Sequence, residues 1–218
     1  MANGIKLGNL TIDSFKVGSS DCKIYLGDTL LYPPQTPSYT LLDGIERKEG
    51  YLGHVDLGLG VGTDFKIEFT IMYKTAAGGY LIGVDNSFRW FKASNSVYFD
   101  YNGQRISRTA GTYYPNNTKI TVTLTNYKFV SNLGGQKTGT TQSSYTSSKN
   151  LALFTSNITN NGDLGVFYGV KVYTNDGNTL VGDFIPVRRN YDNVVTMYNT
   201  VTNTFCSVNG TLYGVEIS

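Results

Sequence analysis

His54 is the only histidine in the chain. Hydrolysis by a serine–histidine–aspartate triad needs an oriented imidazole, and histidine-based zinc sites need several, so both classes are excluded. Beside Gly53 at the start of a strand, His54 reads as structural or exposed. Glycoside hydrolysis needs two carboxylates flanking the scissile bond, placed in sandwich-type hydrolases on one strand as an E-x-D-x-x-E run. The glutamates are Glu46, Glu49, Glu68 and Glu216, and none lies in such a run. Glu68 falls between Ile67 and Phe69, where period-2 geometry points it to the solvent face with Lys66 and Thr70. No catalytic residue is assigned, and the protein is expected not to be an enzyme.

Two weaker kinds of chemistry survive. Calcium needs only oxygen ligands from loops, and Asp85-Asn86, Asn160-Asn161-Gly162-Asp163 and Asp176-Gly177-Asn178 could offer them. Each is also an ordinary turn sequence, since Asn, Asp and Gly tolerate positive φ, and turn is the favoured reading; no cofactor is expected. A sugar-stacking surface could form from Trp90, Tyr113 and Tyr114, although tyrosines alternating along strands more often pack a half-buried sheet. The Asn-x-Thr triplets at Asn116, Asn157 and Asn209 matter only in a secretory pathway.

Bulk properties narrow the function classes. Eighteen Lys and Arg against 16 Asp and Glu leave a formal charge of +2, which gives no general pull toward nucleic acid or an anionic membrane. The opening residues, MANGIKLGNL, lack the apolar core of a signal peptide, and no stretch has the roughly 18 apolar residues of a spanning helix. Synthesis in a cytoplasm, without membrane insertion, is expected. Cys22 and Cys206 lie near opposite ends of the chain and are expected to be free thiols.

The elements that must position any site are strands. The 17 Tyr, 11 Phe and 25 Gly, with abundant Val, Ile and Thr, favour β structure over helix. Up to Tyr32 three short phrases, Ile5-Lys6-Leu7-Gly8, Phe15-Lys16-Val17-Gly18 and Ile24-Tyr25-Leu26-Gly27, alternate apolar positions and end at glycine. They predict a small β meander, too small to be stable without a partner. Residues 33–37 hold three of the five prolines and predict a semi-rigid spacer. From 38 to 218 strands recur, with strict alternation at 65–71 and 120–125 and less regular candidates at 79–84, 88–91, 97–101, 151–155, 166–173, 180–186, 194–198 and 204–208. Many short, closely spaced strands predict a sandwich or jelly roll. The Gly-, Ser- and Thr-rich stretch 131–150 predicts a mobile loop or a solvent-exposed hairpin.

Two regions resemble known sequences. Leu164-Gly165-Val166-Phe167-Tyr168-Gly169-Val170-Lys171-Val172-Tyr173, then 180–188, then Val194-Val195-Thr196-Met197-Tyr198-Asn199 and Thr204-Phe205, resemble the C-terminal half of laminin G-like, concanavalin A-like jelly rolls. Residues 51–58 resemble the opening strand of the same family. The likeness covers most of 39–218 and concerns folding, so it transfers no catalytic residue. Asp183 ahead of Phe184-Ile185-Pro186 reads as an edge strand ended by proline. The run 22–33 is similar to the ending of short N-terminal modules on structural proteins of gut bacteriophages, crAss-like ones among them.

Together these resemblances imply an all-β protein: a small N-terminal meander (1–32), a Pro-rich linker (33–37) and a concanavalin-type jelly-roll sandwich (38–218). They imply a virion structural protein, as head fibre, capsid decoration or tail-associated protein, assembled in the host cytoplasm. Ile24, Tyr25, Leu26, Leu30 and Tyr32 would dock it to other virion proteins, and the sandwich would project toward bacterial surface glycans. A homo-oligomer is expected, the trimer being frequent among phage appendages. The alternative is a bacterial carbohydrate-binding lectin with no virion role.

Overall fold

The computed structural model describes residues 38–74, 79–85, 87–142, 144–155, 164–174 and 176–217, and the backbone of four short strands before them. The chain divides into two compact units, Met1–Ser38 and Tyr39–Ser218. In the first, β1 (Ile5–Leu7) pairs with β2 (Leu10–Ile12) and β3 (Ile24–Leu26) with β4 (Thr29–Tyr32), both antiparallel. The 15–18 phrase and the linker 33–37 lie outside the described residues, as do the side chains of Ile24, Tyr25, Leu26, Leu30 and Tyr32.

The second unit begins with β5 (Tyr39–Leu41), β6 (Gly44–Arg47), β7 (Gly53–Asp56), β8 (Lys66–Tyr73), β9 (Gly79–Asp85), β10 (Phe88–Ala93), β11 (Ser96–Tyr101) and β12 (Gln104–Thr109). After a 3-10 turn at Gly111–Tyr113 come β13 (Lys119–Thr125), β14 (Lys128–Ser131), β15 (Gln136–Thr138), β16 (Ala152–Leu153) and β17 (Gly165–Thr174). The last five are β18 (Thr179–Arg189), β19 (Val195–Asn199), β20 (Thr204–Phe205), β21 (Ser207–Gly210) and β22 (Tyr213–Val215). A front sheet has the order β12-β11-β10-β9-β16-β7-β21, and a back sheet β15-β14-β13-β8-β17-β18-β19-β20. β5 adds to β18, and β6 with β22 to β17, on the back sheet. All pairings between these strands are antiparallel, and the protein is an all-β jelly-roll sandwich of concanavalin type.

Alternation decides which residues fill it. Along β8, Ile67, Phe69, Ile71 and Tyr73 are buried, while Lys66, Glu68, Thr70 and Met72 remain half exposed. Phe69 sits with its ring centre 6.4 Å from Trp90 of the front sheet and 6.0 Å from Phe167 of β17. Trp90 lies edge-on to Phe129 at 4.7 Å, and its indole N–H donates to the Tyr73 hydroxyl at 2.9 Å, so the one polar atom of the ring is satisfied inside the core.

Three local readings change. Residues 204–208 are not one strand: β20 lies in the back sheet and β21 in the front, and the chain crosses at the buried Cys206, whose N–H donates to Met197 and whose carbonyl accepts from Thr196. β18 is interior, between β17 and β19, and continues to Arg189. Pro186 is tolerated because its carbonyl accepts from Leu42 N–H at 3.1 Å, which turns its nitrogen to the same side. That side is the gap between Phe184, the last residue paired to β17, and Val187, the first paired to β5, so no ladder bond is lost. In the 131–150 stretch the β14–β15 hairpin forms, but the rest is held down: Tyr145 is buried with its ring centre 5.0 Å from Tyr101, and Ser147 N–H donates to Val61 at 2.9 Å.

Phe69→Ala is expected to lower stability by about 3–5 kcal/mol, and Glu68→Ala, one position away on the other face, by less than about 1 kcal/mol. Urea unfolding followed by tryptophan fluorescence measures both, and equal losses would refute this assignment of faces.

Candidate functional site

The outer face of the back sheet carries a row of charged and hydroxyl side chains beside a cleft. In the strand register Lys171 lies opposite Glu68 of β8 on one side and Asp183 of β18 on the other. Directly opposed residues share a face, so the three form one row across three strands. Lys171 Nζ is 3.1 Å from Asp183 Oδ2. Glu68 is 3.0 Å from Lys66 Nζ and accepts from the Tyr173 hydroxyl at 3.3 Å. The hydrogen bond to Asp183 raises the Lys171 pKa above its ordinary value.

Two backbone features open a cleft beside this row. Phe167 pairs with Ile71 and Gly169 with Thr70, adjacent residues of β8, so Tyr168 is the extra residue of a β-bulge. A bulge re-aims a side chain, and here Tyr168 lines the outer-face cleft with its ring centre 3.8 Å from the Lys119 ammonium. Next to it Gly169 supplies a floor without a side chain. Within 4 Å a Cβ there would meet just the Phe184 carbonyl oxygen, at 3.5 Å. The Thr70 and Thr121 hydroxyls, 3.0 Å apart, form one wall of a cleft of about 410 Å³, and Glu68, Tyr168, Lys171, Asp183 and Ile185 complete it.

Each carboxylate is paired with an ammonium, and neither sits in the closed apolar pocket that makes a general acid. Paired charges, hydroxyls and a tyrosine ring match a neutral polyhydroxylated ligand. A second cleft of about 390 Å³, near β7 and the β19–β20 turn, spends its polar groups on local structure. There Asp56 accepts from Gly58 N–H at 2.8 Å and Asn199 from Val201 N–H at 3.0 Å.

The sandwich is also found in a solved structure. A candidate carbohydrate-binding protein from Bacteroides ovatus superposes with a TM-score of 0.57 at 10% identity, over 82% of this chain and 61% of that one. A mutant of HCR/D aligns with a TM-score of 0.39 at 11% identity, over 76% of this chain and 58% of its own. The chain thus spans about three fifths of the length of these structures. By sequence, no protein family and no curated protein matches the chain.

The residues singled out from sequence fall elsewhere. Trp90 and Tyr114 have no exposed surface and are core residues, not a stacking platform. Trp90 occupies an inward position of β10, and the Tyr114 hydroxyl donates to the Gly135 carbonyl at 2.7 Å. Tyr113 is exposed, with the Arg108 guanidinium 4.5 Å from its ring centre, and does not line the cleft. Burial lowers the pKa of His54, which lies half-buried in β7. Asp85 and Asp176 serve turns, Asp85 accepting from Ser87 N–H at 2.6 Å and Asp176 adopting a φ of 53°. Residues 160–163 and Cys22 lie outside the described residues. Glu68 does sit on the solvent face, but Tyr168, Lys171 and Asp183 had shown in sequence only as a folding pattern, because their row depends on strand register.

Burial pushes the Tyr101 and Tyr114 hydroxyls and the free Cys206 thiol up to about 12. Unfolded, such groups ionise at roughly 10 for tyrosine and roughly 8.5 for cysteine. Between those values and about 12 the unfolded chain has lost protons that the folded chain keeps, so stability falls as pH rises through this window. Urea midpoints are expected to decline from about pH 9 to about pH 11, less steeply in Tyr114→Phe, and a flat profile would contradict the burial of these groups.

Proposed function

We propose that the protein is a non-catalytic carbohydrate-binding sandwich whose site is the outer-face cleft of the back sheet. The observation that carries this is the cross-strand row Glu68–Lys171–Asp183 beside a bulge-projected Tyr168 and the Gly169 floor. Alternating acceptors and donors on neighbouring strands can address adjacent hydroxyls of a sugar ring, and the tyrosine offers its apolar body. The fold shared with the Bacteroides ovatus protein supports the same reading. Because the charges are compensated in pairs, the ligand is neutral and its binding depends little on salt.

The full chain is expected to retain neutral glycans on a glycan array, without releasing reducing sugar. Gly169 has no positive φ and room for a side chain, so Gly169→Leu is expected to fill the cleft and weaken binding at least about tenfold, with the melting temperature nearly unchanged. Calorimetry with the array hit measures the loss; wild-type affinity in Gly169→Leu would place the site elsewhere.

The finer reading, in which residues 1–32 anchor the sandwich to a phage particle, rests on the likeness of residues 22–33 to virion modules and on the division of the chain into two units. A lectin without a particle fits the cleft equally well. Mass spectrometry of purified particles separates the two: recovery of the chain supports the virion role, and its absence leaves the lectin.

A further inference from the structure

The cleft does not end at β18. Ile185, which lines it, is directly opposite Tyr198 of β19, and Tyr198 is directly opposite Phe205 of β20. Opposed residues share a face, so the outer surface that holds Glu68, Lys171 and Asp183 runs on into aromatic rings. Tyr198 is only 4% exposed yet lies outside the inter-sheet core, because Tyr39 at 4.7 Å and Phe205 at 5.2 Å cover it from the outer side. Beyond them Tyr191, in the β18–β19 turn, places its ring centre 6.2 Å from Phe205 in an edge-on contact.

Packing accounts for Tyr198, and not for Tyr191. Tyr191 is 67% exposed, more than any other large hydrophobic residue described. It is nevertheless held in place. The Arg189 guanidinium lies 5.0 Å from the Tyr191 ring centre and 5.8 Å from that of Phe205, and Asp192 pins it through bonds of 3.0 and 2.5 Å. A supported ring left in water at the end of a polar cleft is suited to meet the apolar face of a sugar. From β8 to β20 the surface crosses four strand spacings, about 19 Å at roughly 4.8 Å each, which exceeds one sugar ring.

We infer that the binding surface extends from the cleft onto the shelf of Tyr39, Phe205 and Tyr191, and that the ligand is a chain of several neutral sugars laid across the strands. This rests on the reading of the cleft as a glycan site. The cleft fixes one or two residues of the chain through hydrogen bonds, and the shelf takes up the next ones by stacking.

The experiment uses the full chain and size-graded neutral oligosaccharides, from monosaccharide to hexasaccharide, made by partial hydrolysis of dextran, mannan, xylan and galactan. In the series that binds, tetrasaccharides are expected to bind at least about tenfold more tightly than monosaccharides. Tyr191→Ala is expected to weaken tetrasaccharide binding about fivefold and to leave monosaccharide binding unchanged, and its exposure makes loss of folding no concern. Gly169→Leu should weaken both. If affinity does not grow with length, or Tyr191→Ala leaves the tetrasaccharide unaffected, the extension is wrong while the cleft stands. If no member of any series binds, the glycan reading itself fails and the extension with it.

Discussion

The outer face of the back sheet is held in position by the packing of Phe69 near Trp90 and Phe167. A strand has no freedom to turn one side chain without turning its neighbours, so the burial of Ile67, Phe69 and Ile71 fixes Glu68 and Thr70 outward. The same constraint acts on β17, where Val170 and Val172 are buried and Lys171 is turned out. A site of half-exposed polar groups is thus built without any of them contributing much to stability. The inner residues supply rigidity, and the outer ones inherit it.

Rigidity alone would give a flat sheet. The departures from regularity make it a receptacle: the bulge that inserts Tyr168, the missing side chain at Gly169, and β5 laid against the far half of β18. Each shapes the outer surface locally while the inner face stays packed. Pro186 belongs to the same junction, since the change of partner from β17 to β5 leaves a place on an interior strand where a missing N–H costs nothing.

The front sheet shows the contrast. Its outer face also carries rows in register, Tyr80–Phe91–Tyr98 and Arg89–Asp100–Arg105. There the rings of Phe91 and Tyr98 stack on one another at 4.9 Å, and both guanidiniums bind Asp100 and lie within 6 Å of ring centres. Donors and ring faces are consumed within the row. The charges of the back sheet are paired as well, but there a cleft and an exposed tyrosine remain, which is why function is placed there.

The sequence by itself determined the class of fold and the parity of its best strands. Alternation at 65–71 and 120–125 reads directly as β8 and β13, and it put Glu68 on the solvent side, because period 2 is a property of the backbone. It also told against histidine chemistry. Only the tertiary structure decided which outer residues meet. Lys171 is three positions past the bulged Tyr168 and more than a hundred from Glu68. Their neighbourhood depends on strand order and register, set by long-range packing that no local pattern encodes. For the same reason Trp90 looked available and is not: an aromatic side chain carries the same propensity on either face of a sheet, and only the opposing sheet settles which face is buried. Tyr114, just past the 3-10 turn, is buried by residues distant in sequence, its hydroxyl donating to Gly135.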